Sequence, residues 1–344
     1  MVLINPDKFK AVIHECMLST GVEVEVANTV SESLIETSLR GVDSHGVHLF
    51  PHYYKELELG RLNKTSKVIV QQKGSSVAML DAKNTFGHLA GKYAMLEAIQ
   101  LAKNTGVGIV SVKNSTHFGA AWYFTDIAAK HKMIGIALTN TEALVNVYNS
   151  KKAFFGTNPI CFSAPMQDEE PYCLDMATST IPWNKIKNYR RQDKSLETGW
   201  AFDSEGQPTD DPHKATSLSS VGGYKGFGLG MLIEILCSGL TSGPMSSEIA
   251  PLYDTTIADN RNISHFFLVL DISKFVSIDR FQSYMSTMVN QIRTLPKSGE
   301  EEVMVAGDKE KLSYKHRKLN GIPMEDSMFL EFLSISNKFN QTIL

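Results

Sequence analysis

Cysteine is scarce in this chain, and the common nucleotide-binding fingerprints are missing. The four cysteines, at 16, 161, 173 and 237, are widely separated and form no Cys-x-x-Cys. That spacing excludes a disulfide framework and a zinc ribbon and reads as reduced, mostly buried thiols. No apolar run reaches the ~18 residues that a membrane span needs; the richest stretch, near Met231, is interrupted by Glu234. The opening Met-Val-Leu-Ile-Asn-Pro passes straight into an amphipathic pattern. No signal peptide is therefore evident, and the expected location is the cytoplasm. A large excess of one charge is also lacking. The formal balance is −3 over 344 residues, which argues against nucleic acid as the main partner, because phosphate binding needs a basic face. There is no Gly-x-Gly-x-x-Gly between a strand and a helix, no Walker loop and no His-Glu-x-x-His.

What remains is a soluble globular composition, 42% hydrophobic and 21% charged. The length suggests about two domains, since single cores stop growing near ~250–300 residues. Asn5 caps a helix beginning at Pro6, along which Phe9, Val12, Ile13, Cys16 and Met17 recur at helical spacing up to Gly21. A second helix is expected from Glu23 to Arg40, and a third from the Ser44–Pro51 segment to Gly60. The first 60 residues thus read as helical throughout. After Lys64 strands appear: Val68–Val70, Val77–Leu80, Val107–Val112, Ile134–Thr139, Ile160–Ala164, Tyr172–Asp175 and His265–Asp271. Helices are expected at Gly87–Asn104, His117–Lys130, Gly226–Ser238 and Pro323–Phe339, with a connection from Lys297 to Asp308. Several neighbouring strands have short links, which favours a mixed or antiparallel sheet. The expected fold is therefore mixed α/β. A helical domain made from both termini (1–66 with 309–344) flanks a central α/β domain (67–308).

Gly41-Val-Asp-Ser-His-Gly-Val-His-Leu-Phe-Pro51 sets a serine beside a histidine between glycines. Histidine exchanges protons near neutral pH, so His45 is a candidate acid/base. His45, His48 and His52 follow an i, i+3, i+7 spacing that can bind zinc on a continuous helix. Pro51 disfavours helix at Phe50 and argues against that face. A second candidate, His117, follows the Val107–Val112 strand, with Ser115 or Thr116 as a helix cap beside it. Asp175, Thr178 and Ser179 leave a strand as an acid followed by hydroxyls, which suits either a ribose and phosphate or a simple turn. Gly222–Gly230 with Lys225 and Gly226 suits either a phosphate cradle at a helix start or tight packing.

Together, Ser44-His-Gly, Asn114-Ser-Thr-His-Phe-Gly, Gly156-Thr-Asn-Pro, Asp175-Met-Ala-Thr-Ser and Lys225-Gly-Phe-Gly resemble, in order, the type-2 malate/L-lactate dehydrogenase family. That family also holds ureidoglycolate dehydrogenase and diketogulonate reductase. The resemblance implies a non-Rossmann, nicotinamide-dependent reductase of 2-oxo acids, typically a homodimer. Malate with oxaloacetate is the first substrate pair, and ureidoglycolate or another 2-oxo or imino acid is the alternative. It implies NAD as cofactor, with NADP left open. His45 and His117 resemble the acid/base and substrate-orienting histidines, and His45 is favoured as proton donor because Ser44 and the glycines can fix it. Ser44, Tyr53 and Thr141 resemble substrate contacts. Asp175, Thr178, Ser179, Lys225, Gly226, Gly307, Asp308 and Lys309 resemble cofactor segments, with no metal. One departure stands out. Where the family pattern Ser-His-Gly-x-x-Arg has arginine, this chain has Leu49, and leucine cannot fork onto a carboxylate. Two other readings stay open: a metal-dependent hydrolase on His45, His48 and His52, and a cofactor-binding protein without turnover.

Overall fold

The computed structural model describes residues 1–253 and 259–341. Strand β1 (Val2–Ile4) precedes helices α1 (Pro6–Ser19), α2 (Val24–Leu39) and α3 (Phe50–Glu58). Asn5 caps α1, accepting from the backbone N–H groups of Asp7 and Lys8 at 3.0 Å each. Two short 3-10 turns, Asp43–His45 and Val47–Leu49, separate α2 from α3. Here the expectation from Pro51 is corrected: Phe50 has helical dihedrals (φ −57°, ψ −45°) and α3 starts on it. A proline in the first turn takes a position where its missing N–H would have had no partner. The amino-terminal segment is also not wholly helical, because β1 pairs antiparallel with a strand near the other end of the chain.

The central region follows as β2 (Ile69–Gln72), β3 (Val77–Asp81), α4 (Gly87–Thr105), β4 (Val107–Ser115), α5 (Trp122–Lys130), β5 (Ile134–Thr139), β6 (Val145–Asn146), β7 (Ala153–Phe155), β8 (Ile160–Ala164) and β9 (Tyr172–Met176). Next come α6 (Trp183–Gln192), β10 (Ala201–Phe202), β11 (Pro208–Thr209), β12 (Ser217–Leu218), α7 (Tyr224–Glu234), β13 (Ile263–Leu270), α8 (Ile278–Arg293), α9 (Asp308–Asn320), β14 (Ile322–Met324) and α10 (Asp326–Lys338). Seven strands form one mixed sheet in the order β2-β3-β4-β13-β5-β8-β9. Only β3 and β4 run parallel in it. Strand β13 lies at its centre, antiparallel to both β4 and β5. Its near-continuous apolar run suits a strand covered on both faces.

The two termini share one core. Phe332 of α10 packs against Phe9 of α1 at 4.6 Å between ring centroids and against Phe50 of α3 at 5.2 Å. A second core joins α4 and α5 to the large sheet. A five-stranded sheet, β11-β10-β12-β6-β7, was not expected; its strands are two or three residues long and carry no alternating pattern. Helices α6, α8 and α9 were also not expected. They bury only Ile186, only Met285 and Val289, and only Asp308, respectively. Helix α8 does carry an apolar period, with Phe281, Met285, Val289 and Ile292 at helical spacing, whereas α6 and α9 are mostly polar. The helix expected at His117–Lys130 begins only at Trp122, and His117 lies on an extended approach to it. Thr116 caps no helix of its own segment. Its hydroxyl accepts the Gly87 N–H at 2.8 Å, at the start of α4.

Candidate active site

His45 closes the first 3-10 turn, and two helices hold that turn. Arg317 of α9 reaches the Asp43 carboxylate (Nη2–Oδ2 2.9 Å) and donates to Ser38 O at 2.7 Å. Asn184 of α6 donates to Ser44 O at 3.1 Å, and its Oδ1 accepts from the Tyr253 hydroxyl at 2.8 Å. The Ser44 hydroxyl meets His45 Nδ1 at 2.8 Å.

His117 arrives from the other side, two residues beyond β4. Gly119 follows with φ +76°, and a Cβ there would stand 2.6 Å from Nε2 of buried His88. Glycine lets the chain pass over that ring in a left-handed conformation. The Tyr53 hydroxyl of α3 meets His117 Nδ1 at 2.6 Å, and Tyr53 is itself 2% exposed. The His45 and His117 rings stack with centroids 5.6 Å apart.

Both histidines line one cavity of about 580 Å³, within the usual ~300–1,000 Å³ of small-molecule sites. Each ring has Nδ1 engaged. When the hydroxyl donates to Nδ1, the proton of the neutral ring sits on Nε2. Burial holds His45 down to about 4. Burial, with smaller effects of His45 and the Arg261 charge, holds His117 well below the ordinary histidine range. Two stacked imidazoles cannot both be charged cheaply, so the free site is neutral at pH 7.

Ser44, Thr141, Asp175, Gly307 and Lys309 line the same cavity. Asp175 is open to solvent through the cavity but enclosed by protein. That enclosure raises its carboxyl to about 6, partly offset by the Trp122 N–H it accepts at 2.9 Å. Gly307, at φ +93°, lies against β9, where a Cβ would stand 3.1 Å from Cys173 O. The remaining expected residues do not form the cavity wall. Thr178 and Ser179 are buried, their hydroxyls donating to Thr157 O (3.0 Å) and Ile181 O (2.8 Å). Asp308 accepts from Arg293 Nε and Val305 N, each at 3.0 Å, and so shapes the loop carrying Gly307. Lys225 and Gly226 stand in the first turn of α7, with Lys225 exposed. Leu49 is 4% exposed within the helical core. Among the described residues neither half-buried His48 nor His52 has a hydrogen-bond partner at Nε2, and His52 Nε2 lies 3.5 Å from Glu56 Oε2. Among the described residues no three His, Cys, Asp or Glu side chains converge as a metal site.

Several residues at the site went unread in the sequence: Asn184, Tyr253, Arg317, His88 and the buried pair Glu142–Arg261. None belongs to a local motif. Glu142 lines the cavity and pairs with Arg261, which is 3% exposed. Arg261 Nε donates to Ala250 O at 2.8 Å, and Nη1 has no hydrogen-bond partner among the described residues. The cavity wall also mixes apolar side chains (Leu144, Leu174, Met176, Val305) with Asp175 and Lys309. That composition fits a cofactor with a flat ring and a polar, charged tail.

Residues 4–332 match the malate/L-lactate dehydrogenase family. The chain is 33% identical to a malate dehydrogenase of Pyrococcus abyssi, over 98% of this chain and 95% of that one. It is 29% identical to a ureidoglycolate dehydrogenase (NAD(+)) of Escherichia coli O157:H7, over 96% and 95%. Its structure superposes on the crystal structure of malate dehydrogenase from Entamoeba histolytica with a TM-score of 0.93, at 29% identity and 98% coverage of both chains. The chain belongs to the malate/L-lactate dehydrogenase family and is a nicotinamide-dependent dehydrogenase of 2-hydroxy acids.

Proposed function

We propose that this family member interconverts malate and oxaloacetate with NAD, the His45–His117 pair handling the substrate oxygen and its proton. The observation that carries this reading is the convergence of two imidazoles, from segments far apart in sequence, on one cavity with both Nδ1 atoms anchored. Bound reduced nicotinamide supplies hydride to the carbonyl carbon. Negative charge then grows on the carbonyl oxygen, where an N–H donor is most valuable. We assign proton donation to His117, reversing the order suggested by the sequence. Its Nδ1 is fixed by a buried tyrosine from a separate helix, whereas His45 is held by its own neighbour. Preorganisation by an independent element keeps the donor aimed throughout the reaction. His45 Nε2 then orients the same oxygen. In the oxidative direction the neutral His117 tautomer that carries its proton on Nδ1, donating to the Tyr53 oxygen, accepts the hydroxyl proton at Nε2; the imidazolium so formed is the proton donor of the reverse reaction.

Leu49 supplies no charge, so another cation must meet the substrate carboxylate. Arg261 is our candidate: it pairs with cavity-lining Glu142, its charge bears on His117, and Nη1 has no hydrogen-bond partner among the described residues. A buried guanidinium N–H without an acceptor is costly unless a ligand satisfies it. Asp175, Gly307 and Lys309 are the cavity-lining residues we assign to the cofactor; Thr178, Ser179, Asp308, Lys225 and Gly226 contribute through the loops they shape. Residues 1–66 with 309–344, and 67–308, are treated as two units because the terminal segments share a core. A second copy of the chain is the proposed cover for α7 and the residue after it, where Tyr224, Met231, Leu232 and Ile235 are 62%, 47%, 46% and 55% exposed. The four free thiols suit the cytoplasm.

The deciding experiment mixes the purified chain with NADH or NADPH and a panel of 2-oxo acids that includes oxaloacetate. Fastest NADH loss with oxaloacetate supports the reading. A preference for another 2-oxo or imino acid, or faster oxidation of ureidoglycolate than of malate in a parallel assay with NAD, replaces malate, and a preference for NADPH replaces NAD. Light scattering on the same sample shows whether a dimer forms.

A further inference from the structure

The cavity wall holds a thiol that hydride transfer leaves idle. Cys173 of β9 lines the cavity and is half-buried. Its Sγ lies 3.9 Å from Sγ of Cys161 on neighbouring β8. Cys161 pairs in register with Asp175, and Cys173 with Ser163, so the two cysteines are diagonal neighbours on one face of the sheet. Cys161 has no exposed surface and packs against Thr125 Oγ1 at 3.1 Å. Burial pushes its thiol well above the usual range. One sulfur is thus reachable from the cavity, and the other waits behind it.

We propose that Cys173 and Cys161 form a reversible disulfide when hydrogen peroxide enters the cavity, and that this bond weakens cofactor binding. The thiolate of Cys173 attacks the peroxide; an S–O bond forms, the O–O bond breaks and water leaves, giving a sulfenic acid. The Cys161 sulfur then attacks the Cys173 sulfur; the S–S bond forms and a second water leaves. Two thiols lose two electrons and two protons, and the peroxide is reduced to two waters.

The sheet register explains why such a bond acts on the site. Diagonal neighbours across an antiparallel pair stand roughly 7–8 Å apart at Cα, whereas relaxed disulfides span about 4.4–6.8 Å. Bond formation must therefore draw β8 and β9 together. Asp175 lies two residues along β9 and directly opposite Cys161. Gly307 packs closely on the Cys173 backbone, where an added carbon would stand 3.1 Å from Cys173 O. Two of the segments assigned to the cofactor thus move with Cys173. A bond that strains its surroundings is also the kind that a dithiol reduces readily, which makes the change reversible.

The loss of cofactor binding rests on the proposed function; the bond itself does not. The reduced full-length protein is treated with hydrogen peroxide, alkylated, digested and mapped by mass spectrometry, with NADH affinity measured in parallel. The expected result is a cross-linked peptide pair containing Cys161 and Cys173 and the loss of two of the four free thiols. NADH affinity falls by about ten-fold or more, and dithiothreitol restores it. Cys173→Ser keeps its NADH affinity through peroxide treatment. Cys161→Ser forms no cross-link and leaves a Cys173 sulfenic acid that dimedone traps. Four remaining thiols, a cross-link without change in NADH affinity, or peroxide inactivation of Cys173→Ser would each overturn the proposal. If untreated protein binds no NADH, the proposed function fails, while the cross-linked peptide still decides whether the bond forms.

Discussion

Replacing Tyr53 by phenylalanine tests the proton-donor assignment most directly. The ring is wedged edge-on against His88 (5.2 Å) and Phe86 (6.1 Å), so Tyr53→Phe keeps the packing and removes only the hydroxyl. What is lost is the 2.6 Å contact to His117 Nδ1. In the free site His117 is neutral, and a neutral hydrogen bond is worth about 0.5–1.5 kcal/mol. As the alcohol is oxidised the ring becomes an imidazolium, and a charge-assisted bond is worth about 1.5–3 kcal/mol. Only the difference, ~1–1.5 kcal/mol, falls on the barrier; the rest falls on stability. Since each ~1.4 kcal/mol is a factor of ten in rate, kcat should drop by about 5- to 15-fold with KM little changed. Steady-state kinetics with NAD and the hydroxy acid measure this. The double variant Tyr53→Phe/His117→Gln should be no slower than His117→Gln alone, because the hydroxyl acts through that ring. A Tyr53→Phe enzyme with parental kcat, or a further full loss in the His117→Gln background, would refute the reasoning.

Four other outcomes follow from the same geometry. Arg261→Gln should raise KM for 2-oxo acids by roughly 10- to 100-fold, the worth of a charged hydrogen bond, while NADH affinity stays near parental; equal loss of both would remove Arg261 from the substrate site. Arg317→Ala frees the Asp43–His45 turn, so kcat should fall while cofactor affinity holds, as titration of NADH fluorescence would show. Oxidation needs neutral imidazoles, and His45 is held near 4 with His117 also lowered; oxidative kcat/KM should therefore not titrate near the ordinary histidine value of ~6.5, which a pH–rate profile checks. Stability should respond to acid instead. His88 and His265 have no exposed surface and are pushed down to about 3. Their contribution is present above the unfolded pKa of ~6.5 and is lost as pH falls toward the folded value. Between pH 7 and 5 each accounts for about 2 kcal/mol; urea unfolding of His265→Asn should show a shallower pH slope, and an unchanged slope would count against it.

The local sequence determined a good deal. Ser44-His45-Gly46, the approach to His117, Asp175 near the end of its strand, and glycines where the chain turns left-handed are all written in neighbouring residues. Such patterns constrain backbone conformation directly, so the helical first segment and most strands of the large sheet could be read. Helices α6 and α9 are mostly polar and print little, whereas α8 carries an apolar period, Phe281, Met285, Val289 and Ile292, that was legible. Only the tertiary structure decided which side chains meet. Tyr53 reaches His117 across 64 positions, and Arg317 holds Asp43 across 274. Arg261 pairs with Glu142 across 119. Leu49 showed in the sequence that a charge was missing, but it took the folded cavity wall to show that Arg261 pairs with its residue Glu142. The same holds for Cys161 and Cys173: two unremarkable thiols in the sequence become a pair because antiparallel register sets them diagonally on one face. Spacing along the chain specifies local geometry; contacts between distant segments depend on sheet register and packing, which no short motif encodes.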